Sequence, residues 1–484
     1  MASSQTLKNK TIKGVFWQTV QKASSQLASF VVSVVLARML SPDDFGVIAM
    51  TYIFMNIANV LVDCGLGSSL VQKKETDDLD INSVFYFSMG VSVFLYLLLF
   101  ICAPMIARLY HNVLLVEIIR VLGLGLLFSS AISVQSAIIL KQMDFKKLFY
   151  NSLISTILSG IIGLTMAFLG FGIWSLVAQT ISNSAISVVT LFYLTRWRPR
   201  LTFSFTRLKG LYKFGLNYMG ANLFGTFFNE LKGFLIGIRY QPADLAFFNR
   251  GDTIPKLING NITGTVSSVL FPAISKLQDD KAAVKSAMQK SMMTTTFIIA
   301  PLLTILIASA DSVIPALYSY KWAEAIPFLQ ILGFGYLFSV LGSVNLLAMN
   351  AIGRSDVTLI LEFVKKPVFL FILLYTIKIS PMALAIGTSA YALYATSVNA
   401  LPNKKLIGYS YREQLHDILP QLFLAFGVGC IAFLIGRMNW NCWLSLFVQW
   451  GVGISLYIGF AILVKMESYQ YVKETALDFL KCYK

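Results

Sequence analysis

The sequence predicts an all-α polytopic membrane protein of about 14 transmembrane helices, built as two pseudo-symmetric six-helix lobes plus two C-terminal helices. Three observations predict it. First, 56% of the 484 residues are hydrophobic and only 13% are charged, whereas soluble domains carry about a quarter charged residues. Second, apolar runs recur from Gly14 to Val464. A helix needs roughly 20 apolar residues to cross the hydrocarbon core, and backbone groups in lipid must pair within their own segment. Third, the chain repeats itself at an offset of 200: Ser41-Pro42-Asp43-Asp44-Phe45 answers Gln241-Pro242-Ala243-Asp244-Leu245. A second echo, at an offset of 210, pairs Leu122-Gly123-Leu124-Gly125-Leu126-Leu127-Phe128-Ser129 with Leu332-Gly333-Phe334-Gly335-Tyr336-Leu337-Phe338-Ser339.

The spanning segments are read at 14–38, 44–71, 81–108, 113–140, 147–169, 172–195, 208–239, 244–272, 284–310, 323–351, 356–378, 381–401, 414–436 and 441–464. Pro42, Pro242, Gly170-Phe171-Gly172 and Ser380-Pro381 mark tight turns between them. The resulting division is 1–200 for the N-terminal lobe, 201–402 for the C-terminal lobe, and 403–484 for the two additional helices and a tail.

Orientation follows from Lys and Arg. With the N-terminus inside, the inner connections hold 26 of these residues, from Lys8, Lys10 and Lys13 to Lys481 and Lys484, and the outer ones 6. That bias obeys the positive-inside rule and puts both termini in the cytoplasm. It also gives the net charge of +16 a membrane explanation, so no nucleic-acid partner is expected. Lys73 and Lys281 fall on this inner surface, where alanine substitutions are expected to be nearly silent.

The first segment carries a polar stripe of Gln18, Lys22, Ser25, Ser29 and Ser33, at the spacing of one helical face, opposite an apolar face that includes Phe16, Val20 and Leu27. Adding 200 gives Tyr218, Asn222, Gly225, Asn229 and Gly233, again polar or small. In the next segment Tyr52, Asn56, Asn59 and Asp63 answer Asp252, Lys256, Asn259 and Thr263. A charge at the bilayer centre costs about 2.5–3.5 kcal/mol on insertion scales, so such residues face protein or water. These stripes therefore predict an aqueous cavity between two homologous halves, with Lys22 facing the region of Asn222 and Asn56 that of Lys256. The competing reading of Lys22 is a lysine paired with a carboxylate on another helix.

The seventh and eighth segments are unusually polar, with Glu230 and Lys232 beside Asn229. Pro255 and Gly260 are expected to interrupt the eighth helix and free backbone carbonyls, as transporters do near binding sites. Gly233-xxx-Gly237 and Gly260-xxx-Gly264 have the spacing of close helix contacts. Glu117 with Arg120, and Glu362 with Lys365 and Lys366, read as local ion pairs. Arg250 and Lys366 read as side chains that snorkel to a helix end.

Enzyme signals are nearly absent. There is no GxxxxGK[ST] phosphate loop, only two histidines (His111 and His416), and no cluster with metal-ligand spacing. The five cysteines, Cys64, Cys102, Cys430, Cys442 and Cys482, imply no disulfide frame. The expectation is a non-enzyme with no cofactor and no metal. Without a nucleotide site, a proton or sodium gradient is the expected energy source, and the intramembrane acids Glu230, Asp63, Asp252 and Glu362 are the coupling candidates.

Ala37-Arg38, Phe45-Gly46, Asp63-Cys64-Gly65 and Val71-Gln72-Lys73-Lys74-Glu75 resemble the N-terminal region of Wzx-type polysaccharide exporters, closest to the colanic acid exporter branch of the polysaccharide transport family. Leu270-Phe271-Pro272-Ala273-Ile274-Ser275-Lys276-Leu277-Gln278-Asp279-Asp280 and Leu317-Tyr318-Ser319-Tyr320-Lys321-Trp322 extend the resemblance to the second half. It implies the multidrug/oligosaccharidyl-lipid/polysaccharide exporter fold. It also implies flipping of undecaprenyl-pyrophosphate-linked oligosaccharide across a bacterial inner membrane, for capsule, exopolysaccharide or O-antigen. The partners it implies are that lipid-linked oligosaccharide, membrane lipids, and a polysaccharide polymerase with chain-length proteins. On this reading Lys22, Lys256 and Lys232 attract the pyrophosphate, while Asn56, Asn59, Asn222, Asn229 and Asn259 suit sugar hydroxyls because amides both donate and accept. The rivals are a multidrug cation exporter of the same superfamily and a membrane enzyme of glycan assembly. A cation exporter favours more carboxylates and aromatics in the cavity, and an enzyme needs extramembrane loops and a catalytic cluster.

Overall fold

The computed structural model describes the backbone of residues 2–438 and 440–482, and the side chains of 17–18, 20–212, 215–438 and 440–474. The side chains of Lys8, Lys10, Lys13, Phe16, Lys213, Lys481 and Cys482, and all of Lys484, lie outside the described residues. Every regular element among the described residues is helical, and eleven helices or helix pairs are long and apolar enough to cross a membrane. The protein is an all-α polytopic membrane protein.

The chain divides into two compact units, Met1–Ala246 and Phe247–Lys484. The first holds α1 (Ala2–Met39), α2 (Pro42–Asp63), α3 (Leu66–Gln72), α4 (Asp78–Leu109), α5 (Leu115–Gly123), α6 (Gly125–Gln142), α7 (Phe145–Phe168), α8 (Trp174–Thr195) and α9 (Phe205–Arg239). The helix α10 (Pro242–Lys276) leads into the second, followed by α11 (Lys281–Ala308), α12 (Ala310–Tyr318), a 3-10 turn (Tyr320–Trp322), α13 (Ala325–Leu337), α14 (Ser339–Ala351) and α15 (Ser355–Thr376). Then come α16 (Pro381–Ala400), α17 (Asn403–Leu406), α18 (Tyr411–Gly436), α19 (Cys442–Leu463) and α20 (Glu467–Cys482).

Each segment read from the sequence coincides with a helix or a pair of helices. Of these, α9, α15 and α16 fall outside the membrane-length apolar set. Polar residues on α9 and charges on α15 dilute their hydropathy, so composition alone does not identify them as spans. Three segments read as single helices are broken: α2/α3 at Cys64-Gly65, α5/α6 at Leu124, and α13/α14 at Phe338. By contrast, α10 runs unbroken through Pro255 and Gly260. The expected interruption there is overturned. A proline in a membrane helix is tolerated where neighbours re-satisfy the freed groups.

Packing in the first unit depends on small residues that let helices approach closely. A Cβ on Gly160 would lie 2.6 Å from Val32, and one on Gly163 2.8 Å from Gln179, fixing α7 against α1 and α8. Asn151 Nδ2 donates to Ser187 Oγ at 2.9 Å, and Asn183 Nδ2 to Ser159 Oγ at 3.1 Å, tying α7 to α8 through polar groups that hydrocarbon would leave unsatisfied. A buried cluster of Leu66, Leu70, Val84, Phe85, Ala131, Val134, Ala137, Leu208 and Leu211 joins α3, α4, α6 and α9. At the other end of α9 a Cβ on Gly237 would meet Tyr110 at 2.7 Å. In the second unit, Gly335 faces Ser389, Gly342 faces Thr396 and Asn399, and Gly453 faces Ile305. Gly260 and Gly264 meet nothing within 4 Å, so the second small-residue pair makes no close helix contact.

The charged ends of the first unit are clasped together. Lys73 Nζ lies 2.6 Å from the carboxylate of Asp80, which is 1% exposed. Arg207 pairs with Asp77 at 3.1 Å, and Lys141 Nζ donates to the Lys73 carbonyl at 2.6 Å and to Thr76 Oγ1 at 2.9 Å. The link 196–204 is held by Asn82 and Ser83, which accept the backbone N–H groups of Arg200 and Ser204, each at 2.9 Å. Lys73 is therefore not a bystander on a solvated loop, and its alanine variant is now expected to lose stability.

Candidate functional site

The first unit encloses a polar site around the break between α2 and α3. Cys64 and Gly65 both have positive φ, 47° and 65°, so the hydrogen-bond ladder of α2 stops inside its own span. The break fits against the backbone of α9. A Cβ on Gly65 would lie 2.3 Å from the Gly215 carbonyl oxygen, and one on Gly215 2.9 Å from that of Cys64. Only glycines allow two backbones this close, and glycine also adopts the left-handed region without strain.

Asp63, the last residue of α2, accepts a hydrogen bond from Ser133 Oγ of α6. A Cβ on Gly67 would lie 2.7 Å from that hydroxyl and 2.9 Å from Asp63 Oδ1, so glycine there leaves room for the pair. One turn earlier, Asn59 lines a cavity of about 280 Å³ with Val60, Asp63, Gly65, Met219, Asn222 and Thr226. Asn59 Oδ1 is buried and has no hydrogen-bond partner. One turn before that, Asn56 Nδ2 donates to Glu230 Oε1 of α9 at 2.9 Å. A second cavity of about 400 Å³ meets Asp63 from the α6 side, beside Ser68, Ser133 and Ser136.

The structure thus brings Asn56, Asn59, Asp63, Asn222 and Glu230 to neighbouring positions on α2 and α9. It does not bring the α1 stripe to them. The face of α1 that carries Trp17, Gln21 and Val32 packs on α7, where Gln21 Nε2 donates to Ser152 Oγ at 3.1 Å. Lys22 and Ser29 are exposed, Gln18 and Ser25 are half-buried, and none lines the 280 Å³ cavity. Asn229 is exposed and Lys232 half-buried on α9.

In the second unit the corresponding positions make bonds within the protein. Asp252 accepts from Tyr336 OH at 3.0 Å, and Asn259 Oδ1 accepts from Ser339 Oγ at 2.6 Å, while Lys256 is exposed. Glu362 is paired within α15: Lys365 Nζ lies 2.6 Å and Lys366 Nζ 3.6 Å from its two oxygens, and Lys365 also donates to Asn399 Oδ1 at 2.9 Å. The expected local pair is therefore present, and it is extended to α16. Two other expectations are corrected. Arg120 does not pair with Glu117; its guanidinium stands 4.2 Å over the Phe100 ring and donates to the Phe100 carbonyl. Arg250 does not snorkel; it is 7% exposed, with Tyr318 and Trp322 rings at 4.8 and 5.1 Å, so cation–π attraction compensates its burial.

Sequence reasoning missed Ser133 and Ser136. Serines and threonines are common in membrane helices and bond their own backbone, so only the facing helix marks them. Among the described residues no group of histidine, cysteine and carboxylate side chains could hold a transition metal, and Cys64, Cys102, Cys430 and Cys442 are free thiols.

Broken helices and polar cavities among the spans of two compact units are features of a helical membrane transporter. Residues 35–327 match the family described as "Polysaccharide biosynthesis protein", and the chain belongs to that family. Among its relatives is the succinoglycan biosynthesis transport protein ExoT of Rhizobium meliloti, 28% identical over 68% of this chain and 66% of that protein. The lipopolysaccharide biosynthesis protein WzxC of Escherichia coli is 26% identical over 89% of this chain and 88% of that one. A solved structure of the lipid II flippase MurJ, in an inward closed conformation, superposes with a TM-score of 0.76 at 15% identity, covering 93% of this chain and 98% of that one. At that identity the likeness speaks for the fold.

Proposed function

We propose that this protein flips lipid-linked oligosaccharide repeat units across the bacterial inner membrane for surface polysaccharide assembly. The observation that carries the reading is the conjunction of family and fold. A polysaccharide biosynthesis chain adopts the architecture of a lipid II flippase, and its spans enclose amide-lined space rather than a catalytic cluster. The multidrug cation exporter loses support from the polysaccharide family, and the glycan-assembly enzyme from the relative ExoT, which is named a transport protein.

In this reading fourteen spans leave both termini in the cytoplasm, with lobes at 1–200 and 201–402 and two further helices at 403–484. Asn59, Asn222 and Thr226 offer donors and acceptors to sugar hydroxyls. Asn56 and Asn259, already bonded to Glu230 and Ser339, hold the site in shape rather than grip substrate. Lys22 and Lys256, one exposed cation in each half, with Lys232, attract the pyrophosphate. The lipid tail stays in the bilayer, and a polymerase with chain-length proteins consumes the flipped unit. A cation gradient drives the cycle through an intramembrane carboxylate.

The test is reconstitution. The purified protein goes into liposomes holding undecaprenyl-pyrophosphate-linked oligosaccharide, and a membrane-impermeant reagent reads how much glycan reaches the outer leaflet. Gradient-dependent exposure above protein-free liposomes is expected, with Lys22→Ala and Lys256→Ala each lowering it at least fivefold and arginine partly restoring it. Equal rates with and without protein would overturn the reading.

A further inference from the structure

We propose that the α2–α3 break is a sodium site centred on Asp63, Asn59 and Ser133. Asp63 lies inside the span Pro42–Gln72. Ser133 Oγ is its hydrogen-bond donor, and among the described residues no lysine, arginine or histidine nitrogen comes within 4.0 Å of its carboxylate. A carboxylate inside a membrane is costly unless a counter-charge accompanies it. A second uncompensated oxygen stands one turn away: Asn59 Oδ1 is buried without a partner, and the Asn59 and Asp63 side chains both line the 280 Å³ cavity. Residues four apart on a helix share a face, which brings the two side chains to one side of α2.

A hard cation satisfies both at once. A proton on Asp63 neutralises the carboxylate but leaves the Asn59 oxygen bare. A metal ion coordinates carboxylate, amide and hydroxyl oxygens together. The donor set carries one negative charge, which matches a monovalent ion; calcium sites draw on several carboxylates. The helix break contributes too. The C-terminal end of α2 carries the negative pole of its dipole, and the left-handed pair Cys64-Gly65 ends the ladder there, with the Val60 carbonyl accepting the Cys64 N–H and the Leu61 carbonyl the Cys64 thiol. Glycines make the site rigid. Gly65 and Gly215 lock the break against α9, and Gly67 leaves room for the Asp63–Ser133 pair. The position matching Asp63 in α10 is Thr263, whose hydroxyl donates to the Asn259 carbonyl at 2.7 Å in an unbroken helix. The matching position of the second unit therefore carries no carboxylate. The role of sodium as driving ion rests on the flippase reading, but its binding does not.

The experiment uses the full-length protein in lipid nanodiscs. NaCl replaces choline chloride at constant ionic strength, and the thermal midpoint and 22Na+ binding are read together. Wild type should show a saturable rise in midpoint with sodium and none with potassium. Asp63→Asn should lose it, Asn59→Ala and Ser133→Ala should each raise the half-saturating sodium concentration about tenfold, and Lys281→Ala should match wild type. Should Asp63→Asn fail to fold, the Asn59 and Ser133 variants still decide. A response to pH without one to sodium, or equal sodium responses in wild type, Asn59→Ala and Ser133→Ala, would overturn the site. Because ion binding is read on pure protein, that result would leave the flippase reading standing. Normal binding without glycan transport would do the reverse.

Discussion

Two helices that match each other at an offset of 200 have been put to different uses. In the first unit α2 breaks at Cys64-Gly65, its Asn59 oxygen is unpartnered, and cavities open on both sides of Asp63. In the second, α10 runs through two internal prolines, and its Asp252 and Asn259 are bonded to Tyr336 and Ser339. The same contrast appears at the charged ends. Asp80 is buried and paired with Lys73, while its match Asp280 is exposed and accepts the backbone N–H groups of Ala282 and Ala283 to cap α11. Polar spacing was inherited by both halves, but the partners were not. A polar side chain with an intramolecular partner adds stability, and one without is free for a ligand.

The largest effect should come from the break. Gly65→Val places a branched side chain at φ 65°, with its Cβ 2.3 Å from the Gly215 carbonyl oxygen. Strain and overpacking together cost about 3 kcal/mol or more, so fluorescence-detected chromatography should show little folded protein. Gly260→Ala on α10 meets nothing within 4 Å and should be neutral or stabilising by up to about 1 kcal/mol, as alanine favours helix. Equal loss in both variants would erase the contrast.

Next is the clasp. Lys73→Ala removes the closest cation from the buried Asp80 carboxylate and leaves it Arg207 at 4.0 Å and the Asp77 N–H. Breaking a buried pair costs about 3–5 kcal/mol, but Lys73 is itself about a third exposed, so a loss of about 1–3 kcal/mol is expected in the thermal midpoint. Lys281→Ala should stay within about 0.5 kcal/mol.

The clasp also predicts an acid response. Hydrogen bonding to the Asp80 backbone, then to its side chain, with Arg207 and Lys73 nearby, holds the Asp77 carboxyl below its ordinary value of 3.8. A carboxyl depressed in the folded state stabilises it above the unfolded value and stops doing so as pH falls through the folded value. The charged end of the first unit should therefore lose part of its protection as pH falls below about 4. Hydrogen-exchange protection at 73–83, taken relative to the intrinsic amide rate at each pH, reads this between pH 5 and pH 3, and protection that rises on acidification would contradict the pairing.

The smallest effects concern single amides. Asn259→Ala removes the acceptor of Ser339 and should cost about 1 kcal/mol in stability. Asn59→Ala removes an oxygen that bonds nothing in the protein, so it should cost less in stability and more in transport. Paired melting and flipping assays on the two variants test whether the distinction between bonded and unbonded amides holds.

By itself the sequence determined the class, the approximate place of the long apolar helices, though not of α12, α17 or α20, and the polar positions on α2. Hydropathy and helical period are local sums over neighbouring residues, so Asn56, Asn59 and Asp63 stand out in an apolar run before any fold is known. The repeat was legible for the same reason, as spacing along one chain. The tertiary structure alone decided where helices break and which polar groups are satisfied. Pro255 and Gly260 are strong breaker signals, yet α10 continues through them, because surrounding helices can re-satisfy freed backbone groups. The break occurs at Cys64-Gly65, where Gly215 on a helix 150 residues later allows backbone to meet backbone. Whether Asp63 meets a lysine or a serine depends on which face of α6 turns toward it. That is set by side-chain packing between helices far apart in sequence, a quantity no local sum contains.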